Sequence, residues 1–197
     1  MQAIQRAGAF AFAGPNSNDA AVLATLPPGN YTIQAKAPLN NLGATGVVLI
    51  EVYDVTPGAA AGPKAANVST RGQVGTGANV LIAGFVINGA TSRRMLIRGA
   101  GPTLTGFGVP GVLADPQLSL ADQVTGTVIR TNDDWASGAD AGIIAQAAIA
   151  AGAFPFANGG KDAAMIVMLA PGAYTVTLSG VNNGNGVGLV EVYDVDP

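Results

Sequence analysis

The sequence predicts a mainly β protein: an antiparallel β-sandwich or jelly-roll module with one short inserted helix, preceded by a half-module copy of its own C-terminal strands. Three observations predict it. Short apolar or alternating runs recur between Gly, Pro and Asn turn signals at fairly even spacing, the pattern of a sandwich. A single run, Asp140 to Ala151, has the Ala-rich, glycine-terminated pattern of a helix. The chain also repeats itself. Leu169-Ala-Pro-Gly-Ala-Tyr-Thr-Val-Thr-Leu178 and Gly186-Val-Gly-Leu-Val-Glu-Val-Tyr-Asp-Val195 are matched by Leu26-Pro-Pro-Gly-Asn-Tyr-Thr-Ile-Gln-Ala35 and Gly46-Val-Val-Leu-Ile-Glu-Val-Tyr-Asp-Val55. The flanks match too, Gly8-Ala-Phe-Ala-Phe12 with Gly152-Ala-Phe-Pro-Phe156 and Asp19-Ala-Ala21 with Asp162-Ala-Ala164. Self-similarity at a fixed offset, here roughly 140 residues, marks a repeat architecture.

Residues 1–57 form the incomplete copy. Ala20 to Leu26 reads as a strand and Pro27-Pro28-Gly29 as a turn, proline pre-setting φ and glycine relieving the next position. Tyr31 to Ala35 alternates, with Tyr31 and Ile33 inward and Thr32 and Gln34 outward. Val47 to Val55 is apolar on both faces, which predicts a central, doubly covered strand. Residues 58–64, small and nearly uncharged, read as a linker. The complete module spans 65–197. Val68 to Arg71 and Val80 to Ile87 read as strands, Asn88-Gly89 as a hairpin turn, and Arg94 to Arg98 as its return strand. Gly99 to Pro110 is a long Gly/Pro loop. Leu118 to Leu120 and Thr127 to Arg130 form a second hairpin about Asp122–Gly126. Asp140 or Ser137 would cap the helix and Gly152 would end it. The strands shared with the first copy follow.

Composition narrows the function classes. Of 197 residues 49% are hydrophobic and 11% charged, against about a quarter charged in ordinary domains. A net charge of −3 and a pI near 4.6 leave no basic patch for nucleic acid. No apolar run reaches the roughly 20 residues of a membrane helix. The absence of Cys and His removes thiol nucleophiles, His-based triads and the usual zinc or copper ligand sets. No signal-peptide pattern opens the chain, and since Met1 falls inside a repeat, the native start is expected elsewhere.

The candidate residues each carry a functional and a plain structural reading. Asp122, Asn132, Asp133 and Asp134 offer the oxygen ligands calcium prefers; equally, they cap turns by bonding their own backbone. Glu51 and Glu191 lie within apolar strands and are followed by Asp54 and Asp194. As acid and base they would be catalytic. Their recurrence in both copies favours a structural pairing instead, with Arg71 or Arg98. No residue is assigned to catalysis. Trp135 is the aromatic read as exposed, hence a glycan contact, whereas the Tyr residues read as core. Tyr31, Ile33, Leu49, Ile50 and Val52 need a cover that residues 1–57 cannot provide, and so are assigned to self-association.

The run from Leu118 through Asp122 and Gly126 to Asn132-Asp133-Asp134, followed by a Pro-Gly-x-Tyr-Thr-Val strand, resembles bacterial pre-peptidase C-terminal domains. That resemblance implies a non-catalytic β-sandwich appendage of a secreted enzyme, some members binding calcium. Asn67-Val-Ser-Thr-Arg-Gly72, Asn79 to Phe85, Leu96-Ile-Arg98, Gly101-Pro-Thr-Leu104 and Val190-Glu-Val-Tyr-Asp194 are similar to uncharacterised C-terminal repeats of large secreted bacterial proteins. This resemblance implies an extracellular or cell-surface setting and no activity. Two functional expectations follow. The first is a non-catalytic structural module that associates with copies of itself by β-strand complementation or head-to-tail packing, with fibres as one outcome. The second is a calcium-stabilised module that binds polysaccharide. Neither involves nucleic acid or membrane insertion.

Overall fold

The computed structural model describes residues 9, 11–14, 17–38, 40–55 and 65–196. The chain divides into two units, 1–65 and 66–197.

The second unit is a two-sheet antiparallel sandwich. Its strands are β1 (Asn67–Val74), β2 (Leu81–Ile87), β3 (Arg93–Ala100), β4 (Pro116–Asp122), β5 (Val128–Asn132), β6 (Ala163–Leu169), β7 (Gly172–Gly180) and β8 (Gly186–Asp194). One sheet has the order β1-β8-β3-β6 and the other β2-β7-β4-β5. The alternating residues of the two inner faces meet in one core, which includes Val74, Ile97, Leu118, Leu120, Met165, Val176, Leu178 and Val190. Helix α1 (Ala141–Ala150) packs Ile144 and Ala148 on the other face of the first sheet, against Leu96, Ala164 and Tyr193. This second cover explains why β8 reads as apolar throughout: Val190 and Val192 face the sandwich while Glu191 and Tyr193 face the helical layer.

Several local expectations change. Asn88-Gly89 is not a hairpin turn. β2 and β3 lie in different sheets, and Gly89, at φ 105°, lets the chain cross from one to the other. The β4–β5 hairpin does form, with a register shift between Leu120 and Ala121. The Gly/Pro loop holds a six-residue 3-10 turn, Pro102–Phe107. Asp140 occupies the N-cap position of α1 without a side-chain cap bond, because its carboxylate pairs with Arg130. Gly152, at φ 71°, takes the left-handed conformation just past the helix end, and Ala153 N–H closes back on Ala148 O at 2.9 Å.

The first unit contains no strand among its described residues. The sequence expectation of strands at 20–26, 31–35 and 47–55 is therefore corrected. The reason lies in the topology of the complete module. Its counterpart strands β6, β7 and β8 never pair with one another: β6 pairs with β3, β7 with β2 and β4, and β8 with β1 and β3. A segment holding only copies of these three has no internal ladder to form. Tyr31 and Ile33, expected inward, are 52% and 63% exposed.

Candidate functional site

The largest fully buried side chain of the second unit is a charged one, Arg98. It lies on β3 directly opposite Glu191 on β8. Both side chains are almost fully buried, with guanidinium Nη1 3.3 Å from Glu191 Oε2. That contact is an ion pair, and neither Nη1 nor Oε2 has a hydrogen-bond partner. The guanidinium is held on its other sides by Phe154 and Phe156, whose ring centroids lie 4.5 and 4.0 Å from its central carbon. Nη2 donates to Phe154 O at 2.7 Å, and Tyr193 O–H donates to Glu191 Oε1 at 2.8 Å. Of the two partners proposed from sequence, Arg98 is therefore the one Glu191 meets; Arg71 is exposed and stands opposite Leu189. Phe154, Phe156 and the buried Asp162 were not singled out as a site. Their signal was present in the recurrence of Gly-Ala-Phe-x-Phe and Asp-Ala-Ala in both copies.

The electrostatics of this cluster follow from burial. Desolvation pushes the Glu191 carboxyl above its ordinary value while the Arg98 charge pulls it down. Burial lowers Arg98, with Glu191 opposing. Tyr193 is pushed up to about 12, first by burial and then by its bond to Glu191. An unfolded tyrosine ionises near 10, so the fold favours the protonated phenol. This contribution is fully present below pH 10 and is lost as pH rises through the folded value. We expect the pH dependence of stability between about 10 and 12 to be shallower in Tyr193→Phe, by up to about 3 kcal/mol across that window. Denaturant melts at stepped alkaline pH check it, and an unchanged slope would contradict it.

Asp162 anchors the Gly99–Pro110 segment. Its carboxylate is buried and accepts from Gly101 N at 2.8 Å, Thr103 N at 3.3 Å and Thr103 Oγ1 at 2.5 Å. Gly101 has no alternative there, since a Cβ would stand 2.1 Å from Leu113 O.

The four residues proposed as calcium ligands do not converge. Asp122 Oδ1 accepts from Val124 N and Thr125 N at 3.0 and 2.8 Å, closing the β4–β5 turn. Asn132 Oδ1 accepts from Ala164 N at 2.9 Å, tying β5 to β6. Asp133 is exposed, and Asp134 Oδ2 meets Lys161 Nζ at 3.0 Å. Lys161 also lies 3.8 Å from Asp115, so an ammonium already stands between the two carboxylates. Among the described residues, no group of three or more His, Cys, Asp or Glu is placed to hold a metal ion. Trp135 is likewise not an exposed platform. It is 7% exposed, packs on Phe156 and donates its indole N–H to Ala157 O at 3.1 Å. An open groove of about 490 Å³ lies instead beside the β1–β2 turn, with Thr76, Gln117, Thr177, Ser179, Asn182 and Asn183 among its lining.

The residues assigned to self-association are exposed: Tyr31 52%, Ile33 63%, Leu49 68%, Ile50 42% and Val52 57%. Around them the first unit reproduces the local geometry of its folded counterpart. Tyr31 O–H donates to Pro27 O at 2.6 Å as Tyr174 O–H does to Ala170 O at 2.8 Å. Tyr53 O–H donates to Glu51 Oε1 at 3.0 Å as Tyr193 does to Glu191. The short-range contacts are in place and the ladders are not.

Among the described residues, no helix is long and apolar enough to cross a membrane. No protein-family model matches the chain, and no curated protein does. Among solved structures it is similar to the pre-peptidase C-terminal domain of a collagenase from Bacillus anthracis, at 14% identity and a TM-score of 0.38, over 64% of this chain and 88% of that one.

Proposed function

We propose that this chain is a non-catalytic structural module that joins like modules through its first unit by β-strand complementation. The carrying observation is the pair of unlike fates of one repeated sequence. Leu49, Ile50 and Val52 are exposed, while Val190 and Val192, at the positions of Ile50 and Val52, are core. Burying one such side chain is worth about 1.5–3 kcal/mol, so several exposed together give a strong drive to association. The carboxylate that could have acted as an acid or base is instead locked between Arg98 and Tyr193. An extracellular or cell-surface setting rests on the resemblance to repeats of secreted bacterial proteins.

Sedimentation across a concentration series tests this reading. Residues 66–197 hold all eight strands and both cores, and so fold alone. The full chain should gain mass with concentration and the 66–197 fragment should stay monomeric. A monomeric full chain would remove the reading.

A second reading is favoured by the groove beside the β1–β2 turn, whose hydroxyls and amides suit a neutral glycan. In that case soluble polysaccharide, with or without added calcium, raises the melting temperature of a monomer by mass action.

A further inference from the structure

We infer that residues 20–37 and 46–54 are the last three strands of a second sandwich, and that their partner is a polypeptide half-module like residues 66–144 carrying an arginine at the position of Arg98. The inference rests on the structural reading above and names the partner that reading leaves open.

Three features of the first unit answer to groups it does not contain. The first is a socket for a cation. In the complete module Arg98 is enclosed by Glu191, Tyr193 and Phe156. Glu51, Tyr53 and Phe12 repeat those three residues, but the duplicated segment has no counterpart of β3, the strand that supplies the arginine. The second is a glycine kept for a backbone that is not there. At Gly186 a Cβ would stand 2.6 Å from Leu113 N, so the close pass of the Val112–Leu113 segment demands glycine. Gly46 holds the same place in the repeat with nothing within 4 Å of its own Cβ position. The third is a compensated exchange of volume. Leu178 of β7 lies over Gly188 of β8, where a Cβ would meet Leu178 Cδ2 at 2.7 Å. In the first copy the large and small residues trade places, Ala35 for Leu178 and Val48 for Gly188. Such an exchange preserves packing only if the two strands face each other across a sandwich core.

Strand arithmetic identifies the partner. In the complete module β6, β7 and β8 take their ladders from β1, β2, β3 and β4, with β5 extending β4. A further β1–β5 half is what completes the count.

The test is a chain with a second set of residues 66–144 placed ahead of residue 1. Its calorimetric unfolding enthalpy should be about twice that of the original, as two sandwiches melt in place of one, and its mass should cease to rise with concentration. Gly46→Ala should lower the melting temperature of the extended chain and leave the original unchanged. An unchanged enthalpy in a soluble extended chain would overturn the inference, as would a silent Gly46→Ala in both chains. If the original chain proves monomeric while the extended one doubles its enthalpy, the association reading fails and this inference stands.

Discussion

Arg98→Ala should destabilise the 66–197 module by about 3–5 kcal/mol, a large part of a domain's usual 5–15. The cost has two sources. Glu191, 4% exposed, is left with only Tyr193 O–H for a partner and without the cation that offsets the burial of its charge. Phe154 and Phe156 lose the planar group between them. Arg98→Lys should recover little of the loss, because an ammonium has neither the flat face nor the second donor that reaches Phe154 O. Replacing the pair together, Arg98→Met with Glu191→Leu, should recover most of it, since no buried charge is then orphaned. Urea denaturation of the four proteins measures this. A loss below about 1 kcal/mol for Arg98→Ala would show that water reaches the cluster and that burial does not govern it.

The second large effect lies where the sheets touch. Leu178→Ala opens a cavity over Gly99 and Gly188 and should cost about 2–5 kcal/mol. Gly188→Val drives side-chain atoms into Leu178 and against Val74 Cγ2, 3.0 Å from the new Cβ, and should cost about 1–3 kcal/mol or more. The double variant reproduces the Ala35 and Val48 combination of the first copy. It should be at least about 1 kcal/mol more stable than the sum of the single changes allows. Strict additivity would mean that the first copy does not build this contact.

The sandwich was legible because its evidence is periodic and local: alternation along β7, Pro-Gly turns before it, and one alanine-rich helix ended by Gly152. The pairing of Glu191 was legible because a carboxylate on a strand apolar on both faces requires a cation, and Arg98 lies on another such strand. Sheet membership was not legible. Asn88-Gly89 signals a reversal of the chain but not whether the returning strand joins the same sheet or the facing one. Trp135 was misplaced for a similar reason. The polar Asn132-Asp133-Asp134 run before it suggests a surface loop, whereas the acceptor that lets its indole be buried is the carbonyl of Ala157, remote in sequence. The four residues read as calcium ligands do not converge, because side chains close in sequence serve separate turns, with Lys161 arriving from another segment. The first copy carries the general lesson. Its residues match β6–β8 closely, yet strands are made by neighbours, and β1 to β4 are what the copied segment lacks.

Amide hydrogen exchange of the full chain, at a concentration where it is monomeric, compares the two copies within one molecule. The account predicts strong protection across Gly186–Asp194, whose amides lie in a strand bonded to β1 and β3, and exchange near the unprotected rate across residues 46–54. Equal protection of the two segments in the monomer would contradict it.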